Sequence, residues 1–352
     1  MKSAVLFALS AVASCVAMAN ESITVVSYGG SLATAQIEAA HKPFAKESGI
    51  KVISEDYSGG IAQVKAQVDT NKITWDVVDM ELPNAVRACN AGLLERIDPD
   101  KDLAPGNDGK VASQDFIPGA LSECGVASIV WSTAVAYNTK AFKNGQPTAL
   151  KDFFDLQRFP GKRSLRKAPQ VNLEWALLAD GVPREEVYAT LETDEGLERA
   201  FAKLDTIKDQ VVWWEAGAQP PQLLADGEVV MTSAYNGRIY DAQVKEKQPF
   251  QIIWDGQMYD MDVWTVPKGT PKKEQAMAFL RFATQSSVLA DQSKYIAYGP
   301  TRQSSQPLVS EEVKPHLPTT DANFATALQV DSEWWADHAD ELSERFNAWL
   351  AK

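Results

Sequence analysis

Residues 128–138 read SIVWSTAVAYN, and this stretch decides the fold. It is too rich in small and β-branched residues to favour a helix, and it is long enough to form an extended strand that crosses between two parts of the chain. A second such stretch, VWTVP at residues 263–267, follows much later. Because the two stretches bracket a block of alternating strand and helix patterns, the sequence predicts two α/β lobes joined by hinge strands.

The residues before the first crossing stretch repeat a strand-turn-helix pattern. A strand-like run at residues 23–27 is followed by Tyr28, two glycines and a helical pattern, and two further strands are predicted at residues 51–54 and 75–80. Alternating strands and helices predict a parallel sheet, and ligands of such sheets lie at the carboxyl ends of the strands. Tyr28 and Glu81 fall at these ends.

The block between the crossing stretches has the same character, and a helical tail follows the second stretch. Strands are predicted at residues 162–165, 210–213 and 229–233, and helices at residues 170–178, 196–204 and 220–225. The tail, residues 318–352, ends in a helix whose apolar side chains should pack on a lobe surface. We predict packing rather than binding roles for Trp175, Trp334, Trp335 and Trp349.

Composition and charge exclude several classes of function. The chain has 352 residues, with 34 Lys or Arg and 47 Asp or Glu, which gives a formal net charge of −13. An acidic protein without a basic patch is repelled by phosphate backbones and anionic lipid, so nucleic acid and anionic membrane surfaces are poor candidates for partners. Three histidines and three cysteines leave almost no material for a metal site, and we predict neither a metal nor a cofactor.

The N-terminus predicts export. Residues 1–19, MKSAVLFALSAVASCVAMA, combine one Lys, an apolar stretch and a small-residue cleavage site, as in a secretory signal peptide. A membrane anchor would need a longer apolar stretch. A lipoprotein signal, with lipid on Cys15, is a second alternative. Export places Cys89 and Cys124 in an oxidising compartment, where they form a disulfide or remain two buried thiols.

No catalytic set assembles in the sequence, which lacks the G-x-S-x-G, Walker and H-E-x-x-H patterns. The carboxylate pair Asp260 and Asp262 could serve a secreted hydrolase, and this is the alternative function. No nucleophile or positioned base accompanies the pair. The sequence therefore favours a binding protein over an enzyme.

Acidic and aromatic residues meet at predicted strand ends. Asp260 and Asp262 precede the second crossing stretch, and Tyr235 follows the strand predicted at residues 229–233. Aromatic faces attract cations and carboxylates neutralise an ammonium, so this combination predicts an amine site. Tyr235 has core packing as its alternative role. Glu81 would add a further carboxylate to the site, or would cap the helix that follows it.

Arg238 lies three residues after Tyr235 and adds a positive charge to the predicted site. A guanidinium is the natural fork for a ligand carboxylate. The alternative is a surface ion pair with Asp241, which would say nothing about a ligand.

Five stretches, in this order and spacing, resemble the periplasmic polyamine-binding proteins, the spermidine/putrescine type of ABC-importer solute-binding protein. They are WDVVDM at residues 75–80, IVWSTAVAYN at 129–138, DGEVVMTSAYNGR at 226–238, YDMDVWTVPKGTPKKEQAMAFLRF at 259–282 and YIAYGPTRQ at 295–303. The resemblance implies a two-lobed periplasmic binding protein fold, α/β in class, with two parallel-rich sheets joined by hinge strands. Lobe 1 would comprise residues 20–130 plus 263–305, and lobe 2 residues 131–262 plus 306–352.

The resemblance also implies a function. Proteins of that family are periplasmic binding proteins that close two lobes on a small solute and dock on an ABC permease in the inner membrane. We accordingly expect a monomer that is not an enzyme. Matching motifs assign Asp262 to the acid that meets a ligand ammonium, and Tyr28, Tyr235 and Tyr298 to aromatic contacts.

Three departures from the family bear on the ligand. This chain has Asp260 where the family has an aromatic residue, Glu81 where it has a small hydroxyl residue, and Tyr235 where it has a tryptophan. These changes remove stacking surface and add charge. The predicted ligand is a small amine, either a polyamine such as putrescine or spermidine, or an amino acid such as γ-aminobutyrate. Arg238 and Asp262 together would suit the amino acid.

Overall fold

The computed structural model of the protein describes residues 22–143 and 145–352. The predicted signal peptide, residues 1–19 with Cys15, lies outside the described residues. Within them, nine strands join in one mixed sheet. The strands are β1 (Ser22–Ser27), β2 (Lys51–Asp56), β3 (Val77–Glu81), β4 (Gly125–Asn138), β5 (Arg163–Arg166), β6 (Val211–Trp214), β7 (Met231–Tyr235), β8 (Phe250–Thr265) and β9 (Leu328–Gln329).

Sixteen α-helices lie between and after these strands in the part of the chain that the structure describes. They are α1 (Gly30–Gln36), α2 (Lys42–Ser48), α3 (Ala62–Asp69), α4 (Leu82–Asn90), α5 (Pro99–Asp102), α6 (Ala112–Asp115), α7 (Leu150–Phe154), α8 (Asn172–Ala179), α9 (Val187–Leu191), α10 (Asp194–Asp205), α11 (Gln219–Ala225), α12 (Asn236–Val244), α13 (Lys273–Ala283), α14 (Ser286–Gln292), α15 (Asp321–Phe324) and α16 (Ser332–Leu350). A π-helical turn, Ile37–His41, connects α1 to α2. None of the described helices is both long and apolar enough to cross a membrane.

The strand order, β2-β1-β3-β8-β4-β7-β5-β6, divides the sheet into two parallel groups. Strands β1, β2 and β3 pair in parallel on one side, and β5, β6 and β7 do so on the other. The antiparallel pair β4 and β8 lies between the groups and joins them into one ladder. The predicted α/β class with hinge strands is confirmed, and the two predicted sheets are continuous through these two strands.

The two crossing strands differ in how well the sequence locates them. Strand β4 contains all of residues 128–138 and starts at Gly125. Strand β8 begins at Phe250, well before the predicted stretch, and pairs with β4 from Gly125 opposite Thr265 to Asn138 opposite Phe250. The early part of β8 was missed because a glycine and several charged residues interrupt its apolar pattern.

Two large hydrophobic clusters occupy the two sides of the crossing strands. One is built around β1 and β3 with Trp264, and the other is built around α8 and α10 with Met258. The predicted packing role of the tail is confirmed, since Trp335, Phe346 and Trp349 of α16 belong to the second cluster. Trp175 is likewise a core residue. The lobe boundaries themselves stay a prediction.

Cys89 and Cys124 form a disulfide in the structure. Cys89 is in the last turn of α4, and Cys124 directly precedes β4. The bond therefore ties a helix of the first cluster to the start of a crossing strand.

Candidate ligand-binding site

Polar and aromatic groups line a cavity of about 570 Å³ where the carboxyl ends of β1 and β3 face those of β5 and β7. Tyr28 follows β1, and Glu81, Arg166 and Tyr235 are the last residues of β3, β5 and β7. The cavity is lined by Tyr28, Leu32, Tyr57, Ser58, Gly59, Gly60, Glu81, Asn84, Trp131, Arg166, Glu215, Ala216, Gly217, Tyr235, Arg238, Asp262 and Tyr298. The two parallel groups run in opposite directions, so their carboxyl ends approach each other along β4, with Glu81 level with Ile129 and Tyr235 opposite Thr133, which explains why residues so distant in sequence meet here.

Six predicted site residues line this cavity, and the seventh does not. The six are Tyr28, Glu81, Tyr235, Arg238, Asp262 and Tyr298. Asp260 is absent from the lining and is only 2% exposed. Its Oδ1 accepts a hydrogen bond from the backbone N–H of Met261 at 2.7 Å. Asp260 is therefore a buried acid outside the cavity lining, and its predicted ligand contact stays a prediction.

Asp262 and Glu81 face each other across the β3–β8 ladder as directly paired residues. Asp262 Oδ1 accepts a hydrogen bond from Trp131 Nε1 at 2.8 Å, which fixes the carboxylate in place. Glu81 is the N-cap residue of α4, as the capping alternative predicts, but its side chain makes no capping hydrogen bond. Two like charges opposite each other on a sheet repel. A cation placed against them would relieve this repulsion.

Burial and neighbouring carboxylates perturb the acids of this site. Burial, then Asp79 and Glu81, raises the pKa of Asp262 well above its ordinary value. Burial also raises the pKa of Asp79 to about 7, although Gln36 and Ser27 donate hydrogen bonds to its Oδ2. The pKa of Asp260 is raised in the same direction, mainly by burial. The carboxyl groups are crowded together, and no Lys or Arg of the described residues forms an ion pair with Asp262.

Aromatic rings surround the Asp262 carboxylate. The ring centroids of Tyr28 and Tyr57 are 5.1 Å apart, and those of Trp131 and Tyr235 are 5.2 Å apart. Tyr28 is held in place because its hydroxyl accepts a hydrogen bond from the backbone N–H of Glu81 at 2.8 Å. Such rings can line a cation or the methylene chain of a ligand.

Trp131 and Tyr57 were missed by sequence analysis. Trp131 lies inside the predicted crossing strand, but the strand pattern alone does not tell which side chains face the cavity. Tyr57 follows β2, which ends at the same edge of the sheet as β1. Its position after a parallel strand was a usable signal.

Two arginines reach the same cavity. Arg238 Nη1 donates to Ser31 Oγ at 3.0 Å, whereas Asp241 pairs with Lys245 at 2.7 Å, so the predicted alternative of an Arg238–Asp241 ion pair is wrong. Arg238 Nε is buried without a hydrogen-bond partner in the described structure. Arg166 was missed by sequence analysis, because β5 was predicted to end one residue earlier.

The Arg166 guanidinium makes no hydrogen bond or ion pair with any residue of the described ranges. Its pKa is raised, first by Tyr235 and also by Glu81 and Asp260. A guanidinium in this position can receive a ligand carboxylate with both of its forked N–H groups. In the part of the chain that the structure describes, no group of three or more His, Cys, Asp or Glu residues could hold a metal ion.

Residues 39–319 match the model of the family described as bacterial extracellular solute-binding protein. The chain belongs to this family. The prediction of a solute-binding protein, rather than a hydrolase that uses Asp260 and Asp262, is thereby confirmed.

Known relatives span almost the whole chain. The sequence is 47% identical to the gamma-aminobutyric acid-binding protein of Pseudomonas aeruginosa strain PAO1, over 95% of this chain and 92% of that protein. It is 23% identical to the putrescine-binding periplasmic protein SpuD of P. aeruginosa strain UCBPP-PA14, over 77% of each chain.

Solved structures share the fold at similar coverage. The Atu4243-GABA receptor is 34% identical with a TM-score of 0.83, over 94% of this chain and 98% of that one. The binding protein MotA from A. tumefaciens B6, in complex with glucopine, is 31% identical with a TM-score of 0.83, over 94% and 99% of the two chains.

The raised pKa of Asp79 predicts an unusual pH dependence of stability. Its folded value of about 7 lies above its unfolded value of about 3.9, so the folded state binds the proton more tightly. Asp79 therefore contributes stability at low pH that is lost as pH rises toward 7. Between pH 5 and 8, Asp79 should lower the free energy of unfolding of the wild-type protein by on the order of 2 kcal/mol. The Asp79→Asn variant should lack this decrease.

Urea unfolding of both proteins at the two pH values measures this difference. Asparagine can keep an acceptor for Ser27 and Gln36, since both donate to one carboxylate oxygen. His41 contributes the opposite slope, because burial lowers its pKa to about 4. That contribution is common to both proteins and cancels in the comparison. Parallel pH profiles would contradict the assignment to Asp79.

Proposed function

We propose that this protein captures a small zwitterionic amino acid of the 4-aminobutyrate class and delivers it to an ABC importer. The observation that carries the proposal is that one cavity contains two guanidinium groups and two paired carboxylates. An ammonium and a carboxylate on one small ligand would neutralise both kinds of group. The relative that is 47% identical is a gamma-aminobutyric acid-binding protein, which supports the same ligand class.

The roles of the lining residues follow from their charges and positions. Asp262, with Glu81 opposite it, receives the ligand ammonium, and the aromatic rings around Trp131 enclose the methylene chain. Arg238 and Arg166 receive the ligand carboxylate. Both guanidiniums lie close enough to Tyr235 to oppose the effect of burial on its pKa, which is nevertheless raised to about 12.

A polyamine fits this cavity less well than a zwitterion. Two arginines would repel the second ammonium of putrescine. Putrescine also has no oxygen that could accept hydrogen bonds from the two guanidiniums. The putrescine-binding relative is also much more distant, at 23% identity.

The remaining properties of the proposed function follow the solute-binding family. The protein acts as a periplasmic monomer without a cofactor and without catalytic activity, and its macromolecular partner is an ABC permease in the inner membrane. Export occurs through the signal peptide at residues 1–19, with lipidation at Cys15 as the alternative route.

Calorimetry and thermal shift with 4-aminobutyrate, putrescine, spermidine and a neutral sugar test the ligand class. We expect 4-aminobutyrate to bind most tightly. At about 100 times its dissociation constant, it should raise the free energy of unfolding by about 2.7 kcal/mol. Binding of sugars alone would contradict the proposal. Tight binding of putrescine without binding of 4-aminobutyrate would contradict the claim that the ligand is a zwitterion. Recovery of intact ligand after prolonged incubation checks that no turnover occurs.

The lobes are expected to close on the ligand. Arg238 Nη1 contacts Ser31 Oγ at 3.0 Å and Arg87 Nη2 contacts Asp340 Oδ2 at 3.0 Å, and both bonds join the predicted lobes. Ligand contacts from both sides should favour the conformation in which these bonds form. Small-angle scattering should show a smaller radius of gyration with 4-aminobutyrate. An unchanged radius, with binding confirmed by calorimetry, would contradict closure.

A further inference from the structure

A second cavity, of about 120 Å³, adjoins the ligand cavity. Glu81, Asn84 and Arg166 line both cavities, so the two spaces lie on either side of the same side chains. The other walls of the smaller cavity come from α4, from the segment after β5 and from α16. We refer to this smaller cavity as the side pocket.

The side pocket contains polar side chains that lack a partner. Asn84, Arg166 and Gln170 line it, and their side chains make no hydrogen bond with any residue in ranges 22–143 and 145–352. Of its other polar walls, the Glu81 carboxylate also makes no hydrogen bond or ion pair in these ranges, whereas two side chains are satisfied. Arg87 pairs with Asp340 at 3.0 Å, and Ser343 Oγ donates to the backbone oxygen of Ala339. The unpartnered groups therefore concentrate next to the main cavity.

These unpartnered groups are rich in donors. A guanidinium and two side-chain amides can donate to a carboxylate or to an amide carbonyl, and a hydrocarbon chain would leave them unsatisfied. Among the unpartnered side chains, only the two amide oxygens and the Glu81 carboxylate can accept a hydrogen bond. The donors of the side pocket therefore suit a ligand group that carries several oxygen acceptors.

We propose that the side pocket is a subsite for an oxygen-rich extension at the carboxylate end of a longer ω-amino acid. The inference rests on the proposed function, because the ligand ammonium stays at Asp262 in the main cavity. Arg166 stands at the junction and contacts the ligand at the point where the extension begins. Asn84 and Gln170 bind the oxygens that enter the side pocket.

The size of the side pocket limits the extension. A volume of about 120 Å³ has room for a group of a few heavy atoms, such as a carboxymethyl group. The probe 4-aminobutyrylglycine has such an extension: its amide carbonyl takes the place of the 4-aminobutyrate carboxylate, and its single carboxylate follows one methylene later. The matched compact ligand is 4-aminobutyrate itself.

Calorimetry with both ligands on three proteins tests the subsite. Ala339 lines the side pocket and is absent from the main cavity, so Ala339→Leu should fill the side pocket alone. Ala348→Leu is the matched control, because Ala348 is exposed on the same helix, α16. We expect the wild-type protein to bind the two ligands within about tenfold of each other. Ala339→Leu should weaken the binding of 4-aminobutyrylglycine at least tenfold. The affinity for 4-aminobutyrate should stay within twofold of the wild-type value.

A second variant tests the donors. Gln170→Ala should weaken 4-aminobutyrylglycine several-fold while 4-aminobutyrate binds as before, which also shows that the variant is folded. Binding of 4-aminobutyrate with no detectable binding of 4-aminobutyrylglycine would overturn the subsite and leave the proposed function standing. Equal effects of Ala339→Leu and Ala348→Leu would overturn it as well. Failure of the wild-type protein to bind either ligand would overturn the proposed function and the subsite together.

Discussion

Asp262→Asn should weaken the binding of 4-aminobutyrate by about 2 to 5 kcal/mol, which is roughly 30-fold to several thousand-fold. The Asp262 carboxylate is 3% exposed, and its paired neighbour across the ladder is another acid. Its replacement by a neutral amide would leave a desolvated ligand ammonium without its main counter-charge. The fold should survive, because an asparagine oxygen can still accept the hydrogen bond from Trp131 Nε1.

Asp260→Asn is the matched control for this experiment. Asp260 has the same side chain two residues earlier on β8, but it does not line the cavity. Its substitution should change affinity by much less than that of Asp262. Calorimetry gives the dissociation constants, and thermal unfolding of the ligand-free proteins checks that both variants fold. Equal losses for the two variants would point to a general electrostatic effect, and unchanged affinity in Asp262→Asn would remove this carboxylate from the site.

The parts of the site that the sequence could predict share one physical cause. Tyr28, Glu81 and Tyr235 lie at or directly after the carboxyl ends of strands whose patterns are clear, and the carboxyl ends of the two parallel groups face each other. Arg166 would have been found by the same rule if β5 had been extended by one residue. The sequence therefore predicts which residues lie at a strand end wherever it also predicts the strand boundaries correctly.

The sequence could not predict how deeply a side chain is buried or whether it faces the cavity. Asp260 and Asp262 have the same residue type and lie on the same face of β8 by alternation, yet only Asp262 lines the cavity. Trp131 was hidden inside a crossing strand that is buried along almost its whole length. These assignments depend on how β4 and β8 pack against other segments, which single-sequence patterns do not contain.

The missed part of β8 has a functional explanation. A strand buried on both faces is normally a continuous apolar run, but β8 carries Asp260 and Asp262 with exposures of 2% and 3%. Buried carboxylates cost stability, and the resulting pKa shifts record that cost. The proposed ammonium site needs Asp262, so at this residue the local pattern fails where the proposed function requires a buried acid.

Arg238→Ala should separate the two ligand classes. If its guanidinium binds the ligand carboxylate, the substitution leaves that carboxylate poorly paired in a desolvated cavity. The expected loss for 4-aminobutyrate is again about 2 to 5 kcal/mol. Putrescine binding should be unchanged or stronger, because the variant lacks one positive charge that repels a second ammonium. Since the two ligands respond in opposite directions, a misfolded protein could not produce this result.

Two further variants isolate the role of the guanidinium from its contact with Ser31. Ser31→Ala removes the hydrogen bond to Arg238 Nη1 but keeps the guanidinium, so it should alter 4-aminobutyrate affinity much less than Arg238→Ala does. Arg238→Lys keeps the charge but loses the forked donors, so its affinity should fall between those of wild type and Arg238→Ala. Calorimetry with 4-aminobutyrate and putrescine on all four proteins gives the comparison. If Ser31→Ala reproduces the loss seen in Arg238→Ala, the arginine acts by holding the lobes together, and Arg166 alone would then have to bind the carboxylate.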